Sequence, residues 1–228
     1  MRFLCLMKFK RILFIVSVFF LEACHVSRVI QPLDKGEHQI GLGAGGPIIE
    51  LGGNVLPVPL SSIHYAYGWQ DRTTLFGGLH LTSLGYGVAQ VDIGGTYGFL
   101  EPSSWKPGLS TSVSGNFLLD FWTYTPSLYP QLDANLYWNY GQKQHVAYLG
   151  ATNWLELRSM RSHGVVQDRR FLSGIQLGTS INHQLWSFGL EGKWLAPTRD
   201  SRNVTVAYKG FNGMGATGIY LTINKRWK

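Results

Sequence analysis

The sequence predicts an all-β fold, a single transmembrane antiparallel up-and-down β-barrel, on three observations. Its 228 residues are 45% hydrophobic yet only 14% charged, against about 25% charged in an ordinary soluble domain. Something other than water therefore covers much of the surface. Strict alternation of apolar and polar residues recurs over segments of 9 to 12 residues, the length a tilted strand needs to cross a bilayer. The polar positions of those segments hold mostly uncharged side chains, Gly and Ser, as suits a confined interior. An aromatic content of 14%, with 8 Trp, 11 Tyr and 28 Gly, excludes disorder, coiled coil and charged helical repeats. A soluble ligand-binding barrel would invert the two faces, with an apolar lumen and a charged exterior.

The chain opens with a targeting segment. Lys8, Lys10 and Arg11 precede the apolar run Ile12 to Leu21, closed by Ala23-Cys24. Basic, apolar and small-residue regions in that order predict a signal peptide over 1–23, its apolar run too short to span a bilayer as a mature helix. Cys5 falls in the discarded part, so the mature chain keeps only Cys24. No intramolecular disulfide or Cys-rich metal site is then expected. Leu21-Glu22-Ala23-Cys24 resembles a bacterial lipobox, which implies that Cys24 carries the lipid. From Cys24 onward there are 16 Lys+Arg and 12 Asp+Glu, a net charge of +4 against the formal +7 of the whole chain. Nucleic acid loses its motivation as a partner. Residues 24–36 are expected to form a periplasmic linker and 37–228 the barrel.

Strands are expected at 37–45, 61–70, 73–83, 88–99, 108–120, 131–140, 145–155, 171–182, 184–195 and 216–227. The clearest is the fifth, where Thr111, Val113, Gly115, Phe117, Leu119 and Phe121 oppose Ser110, Ser112, Ser114, Asn116 and Asp120. In the sixth, Leu132, Ala134, Leu136, Trp138 and Tyr140 oppose Gln131, Asp133, Asn135 and Asn139. In the eighth, Ile175, Leu177 and Ile181 oppose Gln176, Ser180 and Asn182. Ten strands satisfy the even count of a bacterial single-chain barrel. The connections alternate: 70–72, 141–143 and 182–184 are tight, whereas 46–60, 120–130, 156–170 and 196–215 are long. Short turns are expected at the periplasmic face with both termini, and long loops outside the cell. The connections at 84–87 and 100–107 depart from this alternation, and they leave room for a count of eight.

In the last strand Ile219, Leu221, Ile223, Lys225 and Trp227 alternate with Tyr220, Thr222, Asn224 and Arg226. This resembles the terminal strand of outer-membrane barrels, whose closing aromatic is recognised by the barrel-assembly machinery. Most of the eight Trp fall near expected strand ends, where interfacial girdles belong. The lipobox-like start, the short linker Val26 to Lys35 and the strand opening at Lys35-Gly36-Glu37 together resemble the small lipid-anchored outer-membrane barrels of Bacteroidota-type bacteria. That resemblance implies location and fold, and little chemistry.

Function is carried less openly. Polar-face His64, His80, Asp92, Asp133, Glu191 and Lys193 are expected to fill a narrow lumen as a hydrogen-bonded polar cluster. His64, His80 and Asp92 are also the candidates for a barrel-wall enzyme acting on lipid A or phospholipid, since such hydrolysis needs a nucleophile beside a base. No deacylase-type His-x-Ser pair or phospholipase-type Asn-x-x-Ser-Asn stretch lies within the expected strands. Arg158, Arg161, Arg169 and Arg170 share one long loop, and guanidinium forks match phosphate, so lipopolysaccharide headgroups are the expected ligand there. Gly41-x-Gly43-x-Gly45-Gly46 lacks the Lys-Ser/Thr of a phosphate loop and reads as a Gly-rich strand. The resulting expectation is a structural or accessory outer-membrane component, binding a protein partner or lipopolysaccharide through its outer loops. A lipid-modifying enzyme and a narrow passive pore are the alternatives. No metal and no cofactor are expected.

Overall fold

The computed structural model describes residues 29–51, 53–158, 170–200 and 208–228. The strands are β1 (His38–Leu51), β2 (Asn54–Pro57), β3 (Leu60–Gln70), β4 (Thr73–His80), β5 (Val88–Leu100), β6 (Gly108–Asp120), β7 (Thr125–Tyr140), β8 (His145–Leu155), β9 (Phe171–His183), β10 (Trp186–Asp200) and β11 (Met214–Trp227). A five-residue helix, α1 (Leu81–Gly85), follows β4. All pairings between named strands are antiparallel, and β11 returns to pair with β1 from His38↔Trp227 to Pro47↔Gly218. At that seam the His38 and Trp227 rings stack, with centroids 5.6 Å apart. β2 pairs only with the last residues of β1, Ile48 to Leu51, outside the closed wall. Ten strands therefore close the barrel, and the count of eight is excluded.

Among the described residues the ten strands pair around the whole wall, with open edges left beyond it, as at the start of β7 and at β2, and the two faces separate as the alternation predicts. Val113, Ile93 and Leu177 are 62%, 60% and 66% exposed on the outside, while Asn116, Asp92 and Gln176 are each 0% exposed within. Polar residues outnumber apolar ones among the described buried positions. Such an interior with an apolar exterior is the arrangement of a membrane barrel and the reverse of a soluble one. No described helix is long and apolar enough to cross a membrane; the strands do the crossing.

Several elements differ from the sequence expectation. The loop expected over 46–60 instead holds the end of β1 and all of β2. The loop expected over 120–130 is instead a strand extension: β6 and β7 stay paired up to Asp120↔Thr125. Only Phe121 to Tyr124 turn, held by Asp120 Oδ1, which accepts the Trp122 N–H at 2.7 Å. β8 pairs with β7 only from Gln131 onward, so Pro126 and Pro130 lie where β7 is an edge, the setting that tolerates proline. The strand expected over 73–83 ends at His80, and its last residues enter α1, where Thr82 Oγ1 accepts the Ser61 N–H at 2.8 Å. Trp154, expected in an interfacial girdle, turns into the lumen and is 5% exposed.

Candidate functional site: the lumen and its long-loop rim

The lumen is lined by short hydrogen bonds that run along the wall. His64 Nε2 lies 2.9 Å from Asn224 Oδ1, although β1 stands between their strands β3 and β11. That bridge exists because Gly41 is level with both, where a Cβ would overlap the His64 ring and Asn224 Oδ1. The Gly-rich run of β1 thus makes room for side chains from its neighbours.

His64, His80 and Asp92 share one belt of wall between mid-barrel and the long-loop end. His64 and Asp92 flank Gly78 on either side, and His80 lies two residues further along β4. His80 Nε2 stands 4.0 Å from Asp92 Oδ1, the two side chains 6% and 0% exposed. The pair sets an imidazole beside a carboxylate inside the lumen. The Ser83 hydroxyl, on α1 just beyond, donates to Gln90 Oε1 at 2.9 Å. Asp133 lies apart on β7, where its two carboxylate oxygens accept from Gln131 Nε2 at 2.8 Å each. Glu191 and Lys193 pair with each other on β10 at 3.4 Å, and Tyr148 donates its hydroxyl to Glu191 at 2.8 Å. The six residues expected as one lumen cluster therefore occupy three regions of the wall. The four basic residues expected at the headgroup loop divide as well. Arg161 and Arg169 lie outside the described residues. Arg170 is exposed at the loop base, where its carbonyl accepts the Glu156 N–H at 2.7 Å. Arg158 reaches back to the open edge of β7, donating to the Pro126 carbonyl at 3.1 Å and to Ser127 Oγ. Its guanidinium is engaged in covering that edge, a task hidden in the sequence because the partners are 32 and 31 residues away.

One lumen element was missed altogether. The stretch 29–34, expected within a periplasmic linker, runs inside the barrel at the short-turn end, with Val29 6% and Leu33 3% exposed. Three apolar residues, Val29, Ile30 and Leu33, in so short a connector were the available signal: a solvated linker has no use for them.

At the long-loop rim, Leu81, Leu84, Tyr86, Trp122 and Tyr124 are exposed, and the Trp122 indole donates to the Tyr86 carbonyl at 3.3 Å. This apolar collar continues the exterior band upward.

No family model matches the chain, and no curated protein matches it in sequence. Solved structures similar to it include the COG4313 outer membrane channel from Pseudomonas putida F1, 10% identical over 89% of this chain and 100% of that one, with a TM-score of 0.48. The translocator domain of the autotransporter NalP from Neisseria meningitidis is 10% identical over 96% of this chain and 95% of that one, with a TM-score of 0.45. The outer membrane protein OprG from Pseudomonas aeruginosa is 10% identical over 87% of this chain and 99% of that one, with a TM-score of 0.34.

Proposed function

We propose that the chain is an integral component of a bacterial outer membrane with a structural or accessory role, its long loops outside the cell and both termini periplasmic. Its outer rim binds a protein partner or the phosphates of lipopolysaccharide. The observation that carries this reading is the lumen: its described polar side chains bond largely to one another or to the backbone of residues 29–33, so recognition falls to the rim. The apolar collar around Trp122 lies at the level of outer-leaflet headgroups, and of the two described arginines of the headgroup loop Arg158 is held at the β7 edge while Arg170 is exposed. In planar bilayers the purified protein should show little conductance, and lipopolysaccharide should protect its rim from protease; Arg170→Ala should weaken that protection. Steady ion conduction would favour the passive pore instead. The buried His80–Asp92 pair keeps the enzyme reading alive as an outcome: altered lipid A or phospholipid in a deletion strain would establish it.

The anchor belongs to the same proposal. Cleavage after Ala23 would leave Cys24 acylated, as in the lipid-anchored barrels of Bacteroidota-type bacteria. Cys24→Ala should then abolish metabolic labelling with a radioactive fatty acid while the barrel still inserts, because the exterior of ten strands buries far more apolar surface than one anchor. Absence of label in the unmodified protein would end the lipoprotein assignment and leave the barrel untouched.

A further inference from the structure

Within a mostly polar lumen, two patches of wall are apolar. Ala66 on β3 and Phe76 on β4 face inward, and Tyr137, Val146 and Tyr148 do so on β7 and β8, four strands further round. The same short segment covers both. Val29 and Leu33 cluster with Ala66 and Phe76, while Ile30 packs against the second patch. The wall also meets the segment's backbone. Thr96 Oγ1 donates to the Val29 carbonyl at 3.2 Å, Ser110 Oγ donates to the Ile30 carbonyl at 2.6 Å, and the Leu33 N–H donates to Thr74 Oγ1 at 2.8 Å. Backbone groups withdrawn from water need such partners, and here they come from hydroxyls placed on the inner faces of β4, β5 and β6. Wall and segment are matched in both apolar and hydrogen-bonding character.

The segment also divides space. On one side lies an open recess of about 780 Å³ at the short-turn mouth, bordered by Gln31 to Lys35 with Arg72, Glu101 and Lys228. On the other lies a narrow cavity of about 60 Å³ that begins at Val29 to Gln31. It continues along β11 past Arg226, Asn224, Thr222 and Tyr220 and ends against Glu191. The β11 residues that line it, Arg226 to Tyr220, span about 20 Å of strand, so this narrow shaft follows the inner face of the wall behind the segment. Residues 29–34 join no strand of the sheet and are held by those three hydroxyls, the two apolar patches and a turn where they leave the barrel. There Gly36, at φ +77°, makes a tight turn, and the Gly36 N–H donates to the Gly68 carbonyl at 2.8 Å. A short segment held by a few bonds and a hinge opens at a smaller free-energy cost than the sheet around it.

We infer that residues 29–34 are a removable plug that closes this shaft to small hydrophilic solutes and ions arriving from the short-turn mouth. The plug stands independently of what the rim binds. Ser180 lines the shaft and a cysteine there is close to isosteric, so its reaction with a small quaternary-ammonium methanethiosulfonate reports access. The full chain carries Ser180→Cys with Cys5→Ser and Cys24→Ser, and is folded into phospholipid vesicles; Lys143→Cys, on a short turn, supplies the rate of an open site. Labelling of Ser180→Cys should be slow beside Lys143→Cys. Adding Val29→Asp and Leu33→Asp should speed it by about tenfold or more, because reaction follows the population of the opened form. Thr74→Val with Ser110→Ala removes two wall hydroxyls without placing charge in the lumen, and it should speed labelling too; this variant decides the matter if the Asp variant does not fold. Folding is read from heat-modifiable gel mobility. Unchanged labelling in folded variants would overturn the plug, as would labelling of Ser180→Cys as fast as Lys143→Cys without any plug substitution.

Discussion

Leu177→Arg should lower the stability of the inserted barrel by about 2 to 4 kcal/mol, the cost of a cation at the bilayer midplane on a lipid-facing strand position. Leu177 is the central residue of β9 and is 66% exposed on the outside. Its cross-strand neighbour Leu149 faces the same way, 44% exposed, so an arginine there finds no polar wall to lean on. Leu136, central in the membrane part of β7, should behave alike. One residue back, Gln176 is buried in the lumen and donates to Asn135 Oδ1 at 2.6 Å. Gln176→Thr should cost about 1 to 3 kcal/mol, because the buried Asn135 Oδ1 loses this donor while no charge enters lipid. Urea titration of vesicle-inserted protein, followed by gel mobility without heating, ranks the variants. A one-residue error of phase would swap the two sets. Equal sensitivity at Leu177 and Gln176 would mean that the outer face does not meet lipid.

The wall was legible in the sequence because a strand states its own two faces. Ser110 to Phe121 names the inside and outside of β6 with no reference to any other part of the chain, and the structure keeps that assignment at Ser110, Ser112, Val113, Asn116 and Phe117. What failed to show were features that depend on a partner distant in sequence. Pro126 and Pro130 read as loop signals, yet they are tolerated because β8 stops short beside them and Arg158 covers the open edge. Trp154 sits near a strand end, as a girdle residue would, but its parity places it within, near Tyr129 at a ring-centroid distance of 6.3 Å. Val29 to Asp34 has neither length nor alternation, and only the apolar wall residues Ala66, Phe76, Tyr137 and Val146 explain where it lies. The lumen groups were legible singly and not as groups. Glu191 and Lys193 are two residues apart on one strand, so their pairing could be read directly. The belt of His64, His80 and Asp92 depends on the register of three strands. Ligand identity is less legible still, because the rim residues that would state it belong to connections rather than to the repeating wall.

Neutralising one member of the Glu191–Lys193 pair should destabilise the barrel more than neutralising both. Their side chains are 2% and 3% exposed, with the ammonium nitrogen 3.4 Å from a carboxylate oxygen. Lys193→Gln removes the cation and leaves a buried carboxylate that still holds the Tyr148 hydroxyl at 2.8 Å. One hydrogen bond from a phenol does not replace an ion pair. Removing a single partner of a buried pair costs about 3 to 5 kcal/mol, since the remaining charge is left uncompensated. Glu191→Gln strands the ammonium instead. It keeps the face of the Tyr220 ring, whose centroid is 5.6 Å away, and a cation over an aromatic ring recovers about 0.5 to 2 kcal/mol of the loss. Lys193→Gln should therefore be the worse of the two single variants. The double variant Glu191→Gln with Lys193→Gln carries no charge at either site and can keep a Tyr148 hydrogen bond through the amide oxygen, so its midpoint in urea should lie above that of Lys193→Gln. A double variant as unstable as the sum of the singles would show that the two side chains act separately, with no buried ion pair for the lumen to keep.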